Sequence, residues 1–121
     1  MSGWWRTSQA LLGILNALAT ETRKQGKPTV AHAAHNAPFQ MAQEAKVDIV
    51  AHVPLGEAFD EAAAELVAKE RRVSVPTLAI AEMIPKSGRI PGVSYELARG
   101  SVAMLRRSNV PILAGRDLNQ S

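Results

Sequence analysis

Four short apolar runs, rich in valine and isoleucine, alternate along this chain with segments of helical periodicity. The runs occupy residues 28–32, 47–52, 73–80 and 110–114, and the helical segments occupy approximately 7–25, 36–45, 58–70 and 94–108. Because strands that alternate with helices pair in parallel through right-handed crossovers, this order predicts a parallel sheet. The runs are apolar at successive positions, which is typical of strands covered on both faces. The sequence therefore predicts an α/β fold of about four α-β units.

Local signals indicate where these elements end. Gly26 follows the first helical segment and is suited to the left-handed conformation that terminates a helix. Asn36 is a candidate N-cap for the second. Pro76 cannot donate a ladder hydrogen bond, so we expect it near a strand end or at a distortion. Residues 82–93 contain two prolines and two glycines, which predicts a longer loop.

Two architectures accommodate this order, an open doubly wound sheet and an arc of a (β/α)8 TIM barrel. No Gly-x-Gly-x-x-Gly follows any of the four runs, so a dinucleotide-binding fold gains no support. The 121 residues suffice for one small domain, residues 1–121. A complete barrel takes about 250 residues, so four units amount to about half of one.

Composition argues against several classes of function. The chain has no cysteine, so disulfides and thiolate chemistry are excluded. Its 14 basic and 11 acidic residues give a net charge of +3, and the basic residues are not interleaved with aromatics, which argues against nucleic-acid binding. No apolar run reaches the length of a membrane span, and the amino terminus lacks the order of a signal peptide. We therefore expect a cytoplasmic protein that binds no membrane.

Three residues that can bind metal lie at the ends of predicted strands. His32 ends the first strand, His52 ends the second and Asp117 follows the fourth. Because the carboxyl ends of parallel strands lie on one face, these side chains are expected to converge on the face that carries the active site in barrels. Imidazole and carboxylate together suit zinc or a similar divalent ion. Singly, each histidine fits a loop hydrogen bond and Asp117 a helix cap. The coincidence at three of four strand ends makes a metal site an alternative of equal standing to these ordinary roles.

For the other polar and aromatic residues, an ordinary structural role is the better interpretation. His35 is a candidate fourth ligand, but a loop or N-cap position suits it better. Thr77 and Glu82, near the third strand's end, are interpreted as solvated loop residues rather than substrate contacts. Trp4 and Trp5 are expected to pack under the first helix or against another segment. No serine has a histidine and a carboxylate at fixed spacing, so a nucleophilic triad is not supported.

Several motifs resemble the amidohydrolase superfamily, in its imidazolonepropionase-like and prolidase-like branch. Lys27-Pro-Thr-Val-Ala-His-Ala33 resembles the fifth barrel strand of that family, and Val75-Pro-Thr-Leu78 resembles the seventh. Met41-Ala-Gln-Glu-Ala-Lys-Val-Asp-Ile-Val-Ala-His52 resembles the helix and sixth strand that usually read EAGVDxIxH. Val110-Pro-Ile-Leu-Ala-Gly-Arg-Asp117 resembles the eighth strand, usually GTD. The motifs occur in family order over nearly the whole chain.

The resemblance implies a partial TIM barrel comprising family strands five to eight. It also implies a metal-dependent hydrolase of amide or cyclic C–N bonds, with zinc the expected ion and a small-molecule amide the substrate. By resemblance, His32 and His52 bind one metal ion. Asp117 contacts the second ion and is the catalytic proton shuttle, which takes a proton from the hydrolytic water and passes it to the leaving nitrogen.

The chain departs from the family pattern at several positions. The His-x-His pair of the first strand and the bridging Lys or Glu of the fourth are absent, and Arg116 replaces the usual threonine beside Asp117. We therefore expect weak metal binding and little turnover by the chain alone. Two alternatives are a non-catalytic half barrel that acts as an interaction or assembly fragment, and an open α/β ligand-binding module.

A half barrel has open sheet edges, here at residues 28–32 and 110–115. It also has an inner sheet face with exposed side chains such as Val30, Ile49, Val75 and Leu113. Unpaired edges and contiguous apolar surface favour association. The sequence thus predicts a homo-oligomer, most simply a two-fold dimer, or association with a missing amino-terminal half.

Overall fold

The computed structural model describes residues 2–88 and 91–115, with side chains described for residues 10–84, 86–88 and 91–115. Helices and strands alternate up to the third strand. The elements are α1 (Ser2–Lys24), β1 (Val30–His32), α2 (Asn36–Glu44), β2 (Ile49–Ala51), α3 (Glu61–Lys69), β3 (Val73–Val75), α4 (Leu78–Ser87) and α5 (Tyr95–Arg107). The predicted α/β class is confirmed.

The three strands form a parallel sheet in the order β1-β2-β3. Val30 pairs with Ile49, which pairs with Val73, and this register continues to the ends of the strands. The predicted fourth strand at 110–114 is reduced to a single parallel bridge between Ser74 and Ile112. Hydrogen bonds from Ser74 N–H to the Pro111 carbonyl and from Leu113 N–H to the Ser74 carbonyl, at 3.0 and 2.9 Å, hold this segment beside β3.

The prediction for residues 73–93 was wrong in two respects. β3 ends at Val75 instead of residue 80, because Pro76 cannot donate to the ladder and Thr77 has a φ of +51°, which no strand accommodates. The residues that follow form α4 instead of a loop. Gly88, with a φ of +65°, lies immediately after this helix.

The four helices that lead into a strand or the bridged segment all end in the same way. Gly26, Lys46, Arg71 and Asn109 each have a φ between 56 and 68°. The amide of each following residue donates to a helix carbonyl five residues earlier, as in the Schellman motif, at 3.0 Å in every case. Gly26 therefore acts as predicted. Because the strands pair in parallel, they all begin at one end of the sheet and their carboxyl ends lie together at the other.

The start of α2 is stabilised by a distant loop rather than by the predicted cap. His35 is the N-cap residue, in an extended conformation and without a side-chain cap hydrogen bond. Asn36 is the first helical residue. Its N–H donates to the Glu57 carboxylate at 2.7 Å and its side-chain amide donates to the Ala58 carbonyl at 2.9 Å. The prediction that Asn36 caps the helix was wrong because the capping carboxylate lies 21 residues away.

The core lies between one face of the sheet and α2, α3 and α5. Ala31, Val50 and Ser74 occupy equivalent register positions on this face, and Val50 and Ser74 are fully buried. The rings of Phe39 and Phe59 pack edge to face, with centroids 4.9 Å apart. Burial of each large side chain of this kind contributes about 1.5–3 kcal/mol, so this layer is the main source of stability.

A buried arginine joins the amino-terminal edge of the sheet to α2. Arg72 is 3% exposed. Its Nε donates to the Val47 carbonyl and one Nη donates to the Gln43 carbonyl, both at 2.9 Å. The same Nη lies 2.7 Å from a carboxylate oxygen of Glu70. One side chain therefore links residues on both sides of the α2–β2 turn to the start of β3.

The opposite face of the sheet is only partly covered within the described residues. Val30 and Leu113 are 53% and 52% exposed, as predicted, whereas Ile49 and Val75 are half-buried. This is the face toward which His32 is directed, because side chains alternate along a strand. None of the helices in the described residues is long and apolar enough to cross a bilayer.

Candidate active site

Two histidines meet at the carboxyl ends of β1 and β2. His32 is the last residue of β1, and His52 follows the last residue of β2. His32 Nδ1 lies 2.9 Å from His52 Nε2, and the two ring centroids are 4.9 Å apart. His32 is exposed to solvent and His52 is half-buried. The predicted convergence is confirmed for this pair.

The contact between these nitrogens shows that both are directed toward one position between the rings. A hydrogen bond between two imidazole nitrogens requires one proton between them, donated by one ring to the other's lone pair. A divalent ion bound by both rings would occupy that position in place of the proton. Two nitrogens bound tetrahedrally to zinc lie about 3.3 Å apart, given a Zn–N distance of about 2.0–2.1 Å. A separation of 2.9 Å needs only a small opening to reach this value.

The hydroxyl group of Thr77 contacts the ring of His52. Its Oγ1 lies 2.5 Å from His52 Nδ1 and donates to the Pro76 carbonyl at 2.7 Å. The His52 amide donates to the Val75 carbonyl at 2.8 Å. Thr77 is 7% exposed, so its interpretation as a solvated loop residue was wrong. A threonine directly after a proline at a strand's end was the available signal, although it did not reveal which histidine the hydroxyl would contact.

Two strands end at the site in a conformation that non-glycine residues rarely adopt. His52 has a φ of +70° and Thr77 a φ of +51°. The left-handed conformation costs an L-residue roughly 1–2 kcal/mol, and for a β-branched residue such as threonine it is an outlier. Strain of this kind concentrates at functional sites. Here the two left-handed residues, His52 and Thr77, lie in contact with each other at the histidine pair.

The remaining candidates lie apart from the pair or outside the described residues. His35 is exposed at the start of α2. Its ring lies close to Gly56, because a Cβ atom added to that glycine would be 3.5 Å from His35 Cε1. Glu82 is exposed, as predicted, and its hydrogen bond with Lys86 at 2.7 Å lowers the pKa of its carboxyl group. Asp117 lies outside the described residues.

The segment before Asp117 passes close to the third strand. A Cβ at Gly115 would collide with Val75 Cγ1 and would lie 3.7 Å from Thr77 Cγ2. Only glycine therefore permits this approach of the backbone to the end of β3. No group of three or more metal-binding side chains occurs among residues 2–88 and 91–115, so the histidine pair is the part of the predicted metal site that the described residues bring together.

Comparison with solved structures identifies the fold. An amidohydrolase crystal structure is similar to this chain with a TM-score of 0.63 and 25% sequence identity, over 86% of this chain and 27% of that one. A second, described as an uncharacterized protein, has a TM-score of 0.68 and 25% identity over 86% and 28%. A prolidase complexed with N-methylphosphonate-L-proline has a TM-score of 0.62 and 24% identity. The fold of the chain matches part of a TIM barrel of the amidohydrolase superfamily.

The extent of this relationship is limited by length. The chain spans just over a quarter of the length of these amidohydrolase-superfamily structures. No protein-family profile matches the sequence, and no curated protein sequence matches it. The sheet and helices thus correspond to a fragment of a TIM barrel, as the motifs predicted, and the structural neighbours are hydrolases.

Proposed function

We propose that this chain provides the histidine half of a metal-dependent site that hydrolyses amide or cyclic C–N bonds. The observation that carries the proposal is the approach of His32 Nδ1 to His52 Nε2, 2.9 Å apart at the carboxyl ends of adjacent strands. These two imidazoles would hold the ion, and zinc suits their nitrogen donors. When bound, a divalent ion polarises a carbonyl and lowers the pKa of water enough to make it a nucleophile at neutral pH.

Asp117 is the proposed proton shuttle and the third metal-binding residue. It follows Gly115 by two residues, and Gly115 lies against Val75 at the end of β3. The resemblance of residues 110–117 to the eighth barrel strand of the amidohydrolase superfamily supports this role. Its carboxylate would take a proton from the attacking water and deliver it to the leaving nitrogen.

The structural neighbours suggest the first substrates to test. One is a prolidase complexed with N-methylphosphonate-L-proline and another is a Xaa-Pro dipeptidase. Dipeptides that end in proline are therefore the first panel, with N-acyl amino acids and cyclic imides as the second. Amine release should be measured with the complete 121-residue chain, with added zinc and after chelation.

We expect slow hydrolysis that requires zinc. Asp117→Asn should lower the rate about 100-fold or more, because a positioned general acid–base contributes on the order of 10²–10⁴. His32→Ala should have a similar effect. Turnover that persists in either variant would show that a different site, or a contaminant, is responsible. Zinc binding without turnover of any substrate would favour a second candidate function.

That second candidate is a non-catalytic assembly fragment. Within the described residues β1 pairs only with β2, so one edge of the sheet is open. Leu11, Ile14 and Leu18 form an exposed apolar stripe along α1. An open sheet edge and an exposed apolar stripe each favour association with a further strand and helix, from a second copy of this chain or from a separate amino-terminal part of a barrel.

Sedimentation equilibrium tests the assembly proposal. We expect a concentration-dependent dimer that Ile14→Lys weakens, because the charge would be buried in the interface. Met83→Lys is the matched control, since Met83 is also exposed but lies on α4. A monodisperse monomer at high concentration, or equal effects of the two substitutions, would contradict association through α1 and the open edge.

A further inference from the structure

The hydroxyl group of Thr77 has two neighbours but only one proton. Oγ1 lies 2.7 Å from the Pro76 carbonyl oxygen and 2.5 Å from His52 Nδ1. A carbonyl oxygen can only accept, so the contact with Pro76 uses the hydroxyl proton. The contact with His52 is then satisfied only if Nδ1 carries a hydrogen and donates it to Oγ1.

This assignment determines which nitrogen of His52 presents a lone pair. When a neutral imidazole carries its hydrogen on Nδ1, its Nε2 is the acceptor. Nε2 is the atom that lies 2.9 Å from His32 Nδ1. The hydroxyl of Thr77 therefore fixes the lone pair of His52 in the direction of His32, where the proposed ion would bind.

The backbone at Thr77 supports the same role. A threonine with a φ of +51° is strained, and glycine or asparagine would occupy this conformation at lower cost. Neither glycine nor asparagine, however, has a side-chain hydroxyl that could contact His52. Thr77 is 7% exposed, and its Cγ2 lies near Gly115, so the hydroxyl has little freedom to turn away.

We propose that Thr77 is a positioning residue that holds His52 in the Nδ1-protonated tautomer and directs Nε2 toward the ion. This inference rests on the proposed function, because orienting His52 matters only if it binds an ion. The contact between Thr77 and His52 is observed without any ion. A hydrogen-bond partner on the other nitrogen of a ligating histidine is worth on the order of 10–100-fold in metal affinity. Thr77 would therefore affect affinity without contacting the ion.

Long-range ¹H–¹⁵N NMR of the metal-free, ¹⁵N-labelled chain at pH 8 reads the tautomer directly. In the wild type we expect His52 Nδ1 to be protonated and Nε2 to be unprotonated. Thr77→Val keeps the shape but cannot accept, so this preference should be lost. Thr77→Ser keeps the hydroxyl and should retain it. Zinc affinity should fall about 10–100-fold in Thr77→Val and change by less than about 3-fold in Thr77→Ser.

The outcomes separate this inference from the proposed function. A hydrogen on Nε2 in the wild type, or an unchanged tautomer in folded Thr77→Val, would overturn the role of Thr77 even if zinc binds. If Thr77→Val does not fold, the tautomer of His52 in the wild type and in Thr77→Ser still tests the role of Thr77. The expected tautomers without zinc binding by the wild type would support the positioning contact and refute the proposed function.

Discussion

Replacing Arg72 with alanine is expected to lower the free energy of unfolding by about 2–4 kcal/mol, because hydrogen bonds from a charged group to buried carbonyls contribute about 1.5–3 kcal/mol each. The guanidinium donates to the Val47 and Gln43 carbonyls and contacts Glu70, while remaining 3% exposed. Alanine would leave the Val47 carbonyl oxygen without its donor, at a cost of about 1–3 kcal/mol for a buried unsatisfied group, whereas the Gln43 carbonyl would still accept from the Lys46 N–H. For a domain with a stability of about 5–15 kcal/mol, this is a large fraction.

Urea denaturation of the complete chain measures this change. Arg71→Ala is the matched control, because Arg71 is the preceding residue and is exposed, and its substitution should change stability by less than about 0.5 kcal/mol. Arg72→Lys should recover little, since an ammonium cannot reproduce the planar fork that reaches two carbonyls. Equal effects of the two alanine substitutions would contradict the structural role of Arg72.

Loss of either histidine of the pair is expected to lower zinc affinity by at least about 100-fold. Removal of a residue that merely orients a ligand costs about 10–100-fold, so removal of the ligand itself should cost more. His35→Ala is the control, because His35 is the remaining histidine and caps α2 without a side-chain hydrogen bond to the helix. It should leave affinity unchanged.

Isothermal titration with zinc compares the three single variants. Since His32 and His52 would bind one ion together, their double substitution should cost little more than either alone. A site to which the histidines contribute independently would instead show additive losses. An unchanged affinity in His52→Ala, or a large loss in His35→Ala, would place the metal elsewhere in the chain.

The sequence predicted the elements that depend on local periodicity. The bounds of α2 and α5 agree with the predicted helices to within one residue, and β1 and β2 lie inside the predicted runs. The meeting of His32 and His52 was predicted from topology alone, because parallel strands place their carboxyl ends on one face. A single residue at each strand end was sufficient for that inference.

The errors arose where distant residues decide the local conformation. The strand predicted to continue to residue 80 ends at Val75, because Thr77 turns sharply and its hydroxyl bonds to His52, 25 residues earlier. Nothing in the sequence distinguishes Arg72 from the adjacent Arg71. The burial of Arg72 depends on carbonyl groups 25 and 29 residues away. No pattern within a short window contains these contacts.

The proposed site requires that His32 and His52 bind one divalent ion through the nitrogens that face each other. A long-range ¹H–¹⁵N spectrum of the histidine side chains, recorded during titration with zinc, observes these nitrogens individually. We expect His32 Nδ1 and His52 Nε2 to shift together at a ratio of one ion per chain, while both nitrogens of His35 stay unchanged. Shifts at His35 alone, or at neither nitrogen of the pair when zinc is in excess, would contradict it.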